Sequence, residues 1–333
     1  MKKLIIAALT LAMTAVASFA QVKIVVTDAR PAEIQQIREA APGATIVAGE
    51  DATLAEQVAD ADAIIGEINP ELFHAAKKLR WVQVHSAGVE RYVFPEFADS
   101  AVVLTNCKIL QGPNIADHAM SLLLALTRDL YLAIPDRLKE EWNRREYSPI
   151  ELRGKTAVIV GVGGIGMQIA QRAHAFDMKV IGVDPKDVPL NYFVSRVVPP
   201  DRLEAELPEA DVVFMAAPLT SQSQGMMGSR QFGLMKKGSY FIAVSRGRTY
   251  DSDALLQALK TGRLAGAGLD VTNPEPLPKG HPLWKLENVI ITPHIAGQSD
   301  GVEARRMALI VENVTRFVRG EPLLNVVDKK KGY

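Results

Sequence analysis

Residues 157–166 of the chain read AVIVGVGGIG. The first four are apolar and mostly β-branched, which is typical of a buried strand in a parallel sheet. The next six match the pattern G-x-G-x-x-G, and a helical pattern follows from Ile165 to Phe176. A strand, a glycine turn and a helix in this order predict a Rossmann unit that binds a dinucleotide.

The glycines of this motif have distinct predicted roles. Gly161 permits the tight turn, Gly163 lets the backbone approach a pyrophosphate, and Gly166 allows the helix to pack closely on the sheet. The N-terminus of the helix favours the negative charge of the phosphates.

Asp184 follows the next predicted strand, Lys179 to Val183. A carboxylate at this point accepts hydrogen bonds from the adenosine ribose and repels a 2′-phosphate. NAD is therefore the expected cofactor, and Lys186 close by weakens the preference over NADP without reversing it.

The rest of the chain alternates short apolar runs with helical patterns, which indicates βαβ units and parallel sheets. Before the motif, the predicted strands are Val22 to Val26, Thr45 to Val47, Ala63 to Ile65 and Trp81 to Val84. After it, they are Lys179 to Val183, Val212 to Met215, Tyr240 to Val244, Ala265 to Val271 and Val289 to Ile291.

With 333 residues, the chain is long enough for two domains. We expect an α/β fold of two Rossmann-like, doubly wound parallel-sheet domains. A helix from Asn114 to Leu130, with Asn114 as its N-cap, leads out of the first domain, and a helix from Val302 to Arg319 returns to it. The substrate domain is thus discontinuous, with residues 21–112 and 295–333 flanking a cofactor domain of residues 113–294.

The overall composition excludes several classes of partner. Lys+Arg and Asp+Glu both number 38, so no broad attraction to nucleic acid or to an anionic membrane is expected. The single cysteine, Cys107, excludes an internal disulfide framework and a cysteine-rich metal site. The lysines at 329–331 are expected to form a frayed, solvated tail.

The first twenty residues have the pattern of a secretory signal peptide. Lys2 and Lys3 precede an uncharged apolar run from Leu4 to Ala17, and residues 18–20, SFA, offer small residues for cleavage. An exported protein without a membrane span after cleavage is therefore expected. A buried first strand is the alternative, but Val22 to Val26 already supplies such a strand. A cytoplasmic location is the alternative to export, because NAD is scarce outside the cytoplasm.

Arg246 lies just after a predicted strand of the cofactor domain, where strand ends face a crevice. Its planar guanidinium can bind a carboxylate through two hydrogen bonds and does not lose its proton. Considered alone, it is equally well interpreted as a surface arginine in a salt bridge.

Glu275 stands between Pro274 and Pro276, on a stiff segment suited to positioning a partner. His294 follows the predicted strand Val289 to Ile291, and imidazole is well suited to proton transfer near neutral pH. Four other histidines are interpreted as structural, and His85 is left open; the four are His74, His118, His174 and His281.

The glycine motif, Asp184, Arg246, Glu275 and His294 occur in the order and spacing of the D-isomer-specific 2-hydroxyacid dehydrogenase family. The sequence resembles that family over nearly everything between residues 22 and 327. Three further segments carry the resemblance: SAGV at residues 86–89, APLT at 217–220 and GLDV at 268–271.

The resemblance implies hydride transfer between NAD(H) and C2 of a small 2-hydroxy or 2-keto acid, in a homodimer. It implies a catalytic set of Arg246, Glu275 and His294, with the amides of Ala87 and Gly88 on the substrate carboxylate. It places Asp270 near the nicotinamide carboxamide. Together with the motif, it gives these cofactor-binding residues: Gly161, Gly163, Gly164, Ile165, Gly166, Asp184, Pro218, Ser245 and Asp270.

Two positions depart from the family pattern, because Ala243 replaces a common asparagine and Asp117 a common glutamate. These changes leave the substrate preference open. One alternative is an NAD-sensing, corepressor-like protein without turnover, against which the complete set of Arg246, Glu275 and His294 argues. Another is the same fold acting on formate, phosphite or phosphoglycerate.

Overall fold

The structure, a computed structural model, describes residues 22–27, 30–143, 147–188 and 191–332. The predicted signal peptide at residues 1–20 lies outside these ranges.

A first parallel sheet has five strands in the order β2-β1-β3-β4-β5, a doubly wound arrangement. The strands are β1 (Lys23–Val26), β2 (Thr45–Ala48), β3 (Ala63–Ile65), β4 (Trp81–Gln83) and β5 (Val103–Thr105). The helices that precede or connect them are α1 (Pro31–Ala40), α2 (Leu54–Val58), α3 (Pro70–Ala75) and α4 (Pro95–Asp99). We call this part of the molecule the five-stranded lobe.

Proline opens three of these helices, where its missing N–H costs nothing. At α3 the Asn69 side chain also caps the helix, because its Oδ1 accepts a hydrogen bond from Leu72 N at 2.9 Å.

The second parallel sheet has seven strands in the order β12-β11-β10-β9-β6-β7-β8. They are β6 (Thr156–Val160), β7 (Lys179–Val183), β8 (Arg196–Val198), β9 (Val212–Met215), β10 (Ser239–Ala243), β11 (Leu264–Leu269) and β12 (Val289–Ile291). The chain runs outward from β6 to β8 and then returns to β9 on the other side of β6. A crevice for ligands is expected at this switch point, beyond the carboxyl ends of β6 and β9.

The remaining helices are α5 (Gly112–Thr127), α6 (Leu130–Leu138), α7 (Gly164–Ala175), α8 (Leu203–Glu206), α9 (Ser229–Leu234), α10 (Ser252–Lys260) and α11 (Val302–Arg319). Helices α5 to α10 and the second sheet form the seven-stranded lobe. Helix α5 packs very closely on β11, since a Cβ atom added to Gly268 would lie 2.7 Å from Leu122 Cβ.

Helix α11 follows the seven-stranded lobe in sequence but packs on the five-stranded sheet. Its Met307, Ile310 and Val314 share one apolar core with Ile24 and Trp81. The predicted α/β class with two doubly wound parallel sheets is confirmed. The predicted domain boundaries at 112/113 and 294/295 stay predictions.

The predicted N-cap of α5 is wrong, because the helix begins two residues earlier, at Gly112. Pro113 fits the first turn, where no intrahelical N–H bond is needed. Asn114 instead joins two segments: its Nδ2 donates to Ala296 O at 2.9 Å, and its Oδ1 accepts from Arg305 Nη2 at 3.2 Å. The helix also ends earlier than predicted, before Asp129, whose φ of 56° interrupts it.

The predicted solvated tail is wrong at Lys329. Its Nζ donates to the carbonyl oxygens of Phe97 at 2.7 Å, Ser100 at 2.9 Å and Val102 at 2.7 Å. These three carbonyl groups lie in the last turn of α4 and in the segment between α4 and β5. Burial lowers the pKa of Lys329, and the lysine ties the C-terminal segment to the five-stranded lobe.

Candidate active site

The three candidate catalytic residues follow three neighbouring strands of the second sheet. Arg246 comes after β10, Glu275 after β11 and His294 after β12. Because parallel strands end at the same edge of a sheet, the fold brings their loops to one side of the crevice.

His294 and Glu275 form a hydrogen-bonded pair. The Nδ1 atom of His294 lies 2.5 Å from Glu275 Oε1, and the two side chains are 42% and 41% exposed. A carboxylate on Nδ1 favours the tautomer with its hydrogen there, which leaves Nε2 to exchange a proton with a ligand. Within the described residues, no protein group bonds to Nε2.

The Glu275 carboxylate also has a hydrogen bond within its own loop. Its Oε2 accepts from Thr272 N at 3.3 Å, while the Thr272 hydroxyl donates to Pro274 O at 2.9 Å. Each carboxylate oxygen thus has a partner, His294 Nδ1 for Oε1 and Thr272 N for Oε2.

His294 adopts a φ of 54°, a left-handed conformation that is uncommon for residues other than glycine. Asp270 holds this conformation. Its carbonyl oxygen accepts from His294 N at 3.0 Å, and its carboxylate accepts from Ile295 N at 2.9 Å and Ala296 N at 3.0 Å. Sequence reasoning placed Asp270 near the cofactor and missed this contact with the His294 segment.

His118 extends this network from α5. Its Nε2 lies 2.9 Å from Thr292 Oγ1, and that hydroxyl donates to Asp270 Oδ1 at 2.6 Å. His118 thus supports the segment before His294, as its interpretation as a structural histidine predicts.

Arg246 spans the crevice to the five-stranded lobe. Its Nε donates to Glu90 Oε1 at 2.5 Å, and its Nη1 donates to Ser245 O at 2.8 Å. Its Nη2 lies against Gly88, because a Cβ atom added there would be 1.8 Å away. Burial disfavours the ionised Glu90 side chain, but Arg246 outweighs this effect and lowers the pKa of that carboxyl.

The loop with Ala87 and Gly88 has its carbonyl groups tied back. The Nδ2 atom of Asn106 donates to Ala87 O at 2.5 Å, and the Ser86 hydroxyl donates to Gly88 O at 2.6 Å. No described group accepts from the amides of Ala87 and Gly88, so both can bind an anion. Sequence reasoning found the two amides but missed Glu90 and Asn106.

Two glycines of the motif are required by the packing of the protein itself. Gly161 has a φ of 88°, and a Cβ atom there would lie 2.5 Å from Ala217 Cα. A Cβ atom on Gly166 would lie 1.9 Å from Gly161 O, so the helix could not pack as it does. The motif therefore forms the predicted tight turn between β6 and α7, beside the segment that leads to Pro218.

Two observations show that these residues fit a dinucleotide. A Cβ atom on Gly163 would meet no protein atom within 4 Å, so the open space beside that glycine can receive a ligand. The hydroxyl of Ser245 is buried and has no hydrogen-bond partner in the described part of the chain. Ser245 follows β10, at the same sheet edge as the glycine turn.

Asp184 is held at the end of β7 by backbone amides. Its Oδ2 accepts from Val162 N at 2.8 Å, and its Oδ1 accepts from Lys186 N at 2.9 Å. The carboxylate therefore lies beside the glycine turn, where the sequence predicts a ribose.

The two departures from the family pattern lie in different environments. Asp117 is on the exposed side of α5, where its Oδ1 accepts from Arg172 Nε at 2.6 Å. Ala243 is fully buried at the end of β10. Neither residue bonds to Arg246, Glu275 or His294.

Within residues 22–27, 30–143, 147–188 and 191–332, no group of three or more His, Cys, Asp or Glu side chains could hold a metal ion. None of the helices in those same ranges is both long enough and apolar enough to cross a membrane.

Several solved structures share this fold. One is a D-isomer specific 2-hydroxyacid dehydrogenase family protein from Aeromonas salmonicida, with a TM-score of 0.80 and 29% identity over 93% of this chain and 100% of that one. Another is an NADPH-dependent glyoxylate/hydroxypyruvate reductase from Sinorhizobium meliloti in complex with NADP and sulfate, with a TM-score of 0.80 and 26% identity over 94% of this chain and 100% of that one.

Among similar sequences, a glyoxylate reductase of Korarchaeum cryptofilum is 35% identical over 83% of this chain and 85% of its own length. A D-3-phosphoglycerate dehydrogenase of Methanocaldococcus jannaschii is 31% identical over 92% of this chain, which spans only 59% of that relative. Residues 120–296 match the family model described as D-isomer specific 2-hydroxyacid dehydrogenase, NAD binding domain. The predicted resemblance is confirmed, and the chain belongs to the D-isomer specific 2-hydroxyacid dehydrogenase family, whose members are oxidoreductases of 2-hydroxy and 2-keto acids.

Proposed function

We propose that the chain transfers a hydride between NAD(H) and C2 of a small 2-hydroxy or 2-keto acid. The observation that carries this proposal is the 2.5 Å pair of His294 Nδ1 and Glu275 Oε1, which follows β11 and β12 at the same sheet edge as the glycine turn after β6. When bound, the nicotinamide supplies or accepts the hydride.

The side chains of the crevice divide the remaining work. His294 Nε2 gives a proton to the oxygen on C2 during reduction and takes it back during oxidation. Glu275 holds the imidazole by its Nδ1 atom and so directs Nε2 at the substrate. Arg246 and the amides of Ala87 and Gly88 bind the substrate carboxylate and thereby fix C2 in place.

The proposed cofactor site begins at the glycine turn. Asp184 binds the ribose, and the hydroxyl of Ser245 gains the partner that it lacks within the protein. The other proposed contacts come from Gly161, Gly163, Gly164, Ile165, Gly166, Pro218 and Asp270.

We expect His294→Gln to lower kcat/KM for glyoxylate reduction by about 100-fold to 10,000-fold, because a positioned proton donor contributes that much. Glu275→Gln is expected to have a smaller effect, since the imidazole remains. Steady-state kinetics with NADH and a panel of 2-keto acids provide the measurement, and fluorescence titration checks that NADH still binds.

His174→Gln is the matched control, because His174 lies on the exposed face of α7 and contacts the Tyr192 ring. Equal loss in the His174 and His294 variants would exclude His294 as the proton donor. Cofactor binding by the native protein without turnover of any keto acid would favour the sensor alternative.

The proposed preference for NAD rests on the carboxylate of Asp184. Its two backbone hydrogen bonds keep a negative charge where a 2′-phosphate would have to lie. The similar structures from Sinorhizobium meliloti and Xanthobacter autotrophicus contain NADP and NADPH respectively, so the choice of cofactor varies among similar proteins.

For the native protein we expect kcat/KM with NADH to exceed that with NADPH by about tenfold or more, which corresponds to about 1.4 kcal/mol of repulsion. Asp184→Ser should lower the ratio of kcat/KM with NADH to kcat/KM with NADPH, because it removes the repulsion of the 2′-phosphate. Steady-state kinetics with each of the two cofactors measure this ratio. Asp187→Ser, which leaves the two bonds of Asp184 intact, is the control. A native preference for NADPH would contradict the assignment.

The proposed homodimer is supported by an apolar stripe along α6. Leu130, Ile134 and Leu138 follow one another at intervals of four residues in α6 and are 45%, 57% and 74% exposed. Trp142, just beyond the end of the helix, is 87% exposed. Large apolar side chains at this spacing share one helix face, and such a face is typical of an interface.

Ile134→Glu combined with Leu138→Glu is expected to halve the native molar mass measured by light scattering after gel filtration, because two charges cannot be buried in the interface. Leu324→Glu, which charges an exposed leucine of the five-stranded lobe, should leave the mass unchanged. A native protein with the mass of a single chain would contradict the proposed dimer.

We also propose export, supported by Lys2, Lys3 and the apolar run that follows them. N-terminal sequencing of the protein from its native cells should begin at residue 21, and fractionation should place it outside the cytoplasm. A chain that retains Met1 in the cytoplasmic fraction would contradict export.

A further inference from the structure

An ion pair joins the two lobes across the candidate active site. Glu90 belongs to the five-stranded lobe and Arg246 to the seven-stranded lobe, and the two residues are 156 positions apart in sequence. Their side chains are 42% and 31% exposed, so the pair lies in the crevice and not in a sealed core.

Two hydrogen bonds fix the orientation of the guanidinium. Glu90 Oε1 accepts from Nε, and the carbonyl of Ser245 accepts from Nη1. The Nη2 atom is thereby turned towards Gly88, whose amide is one of the two proposed anchors of the substrate carboxylate.

The absence of a side chain at position 88 makes this contact possible. A Cβ atom there would lie 1.8 Å from Arg246 Nη2 and 2.7 Å from Glu90 Oε2. Both side chains of the ion pair therefore lie close to Gly88, in the loop that offers the amides of Ala87 and Gly88.

We infer that Glu90 is a positioning residue, which holds the Nε edge of Arg246 so that its Nη edge faces the substrate carboxylate. The inference rests on the proposed function. Glu90 itself does not touch the reacting atoms; it acts through the direction in which the guanidinium points.

A different consequence would follow if Glu90 competed with the substrate for the guanidinium. Two carboxylates would then exclude one another, and removal of the Glu90 charge would tighten substrate binding. The geometry favours positioning, because Glu90 bonds to Nε and leaves the opposite edge of the guanidinium for a second carboxylate.

Kinetics of Glu90→Gln separate these two roles. We expect kcat/KM for glyoxylate to fall about 10-fold to 100-fold through a higher KM, as misplaced binding groups do. Affinity for NADH should stay unchanged. A lower KM in Glu90→Gln would show competition and overturn the inference, and so would unchanged kinetics.

Glu67→Gln is the matched control on the same lobe. Glu67 Oε1 accepts from Arg91 Nη2 at 2.6 Å and from the Tyr92 hydroxyl at 2.9 Å, so it also joins an arginine ion pair. We expect its kcat/KM to stay within about twofold of the native value, since this surface pair contributes little. An equal loss in both variants would show a general effect of the lobe and overturn the inference.

A double-mutant cycle tests whether Glu90 acts through Arg246. Lysine at position 246 has no Nε–H group in a planar fork, so Glu90→Gln should have no further effect in the Arg246→Lys background. Additive losses in kcat/KM would show that Glu90 acts independently of Arg246 and would overturn the inference.

Hydrogen exchange of the Arg246 side chain gives a readout that requires no turnover. The Nε–H resonance, assigned by its loss in Arg246→Lys, should exchange with water at least about tenfold faster in Glu90→Gln than in the native protein. Equal exchange rates would overturn the inference. If exchange changes but the native protein reduces no keto acid, the contact stands and the proposed function fails.

Discussion

The candidate active site depends on the hydrogen bonds that the buried Asp270 makes to the segment of His294. The Asp270 carboxylate accepts hydrogen bonds from the amides that follow His294, while the Asp270 carbonyl accepts from His294 itself. These bonds keep a histidine in a left-handed conformation that its own side chain disfavours. The direction of the imidazole, and hence its meeting with Glu275, follows from this support.

The fold as a whole could be predicted because its signals are local. Apolar runs of strand length, the glycine motif and the amphipathic α11 each lie within one short stretch of sequence. The order of these stretches then fixes parallel sheets with their carboxyl ends at one edge, which is why Arg246, Glu275 and His294 could be assigned to one crevice. The chemical type of each of these residues, together with its place after a strand, was enough to identify it as a candidate catalytic residue.

The contacts that sequence reasoning missed join residues far apart in the chain. Glu90 meets Arg246 across 156 positions, and Lys329 reaches Phe97 across 232. In the sequence, Glu90 cannot be told apart from an ordinary surface glutamate. The lysines at 329–331 likewise have the pattern of a solvated tail. Only the three-dimensional arrangement shows that Glu90 bonds to a guanidinium and that Lys329 bonds to three backbone carbonyl groups. The error at Asn114 has a similar origin, because its side chain is used between segments rather than as a local cap.

The division of the site between the lobes links recognition to the angle between them. The acid–base pair of His294 and Glu275 lies wholly in loops of the seven-stranded lobe, whereas Ala87, Gly88 and Glu90 come from the other lobe. A hinge motion that widened the crevice would carry away the amides proposed to bind the substrate carboxylate and leave the pair of His294 and Glu275 undisturbed. In such an open form the His294–Glu275 pair would be intact but the substrate carboxylate would not be bound. The angle between the lobes would then decide whether the reaction can occur.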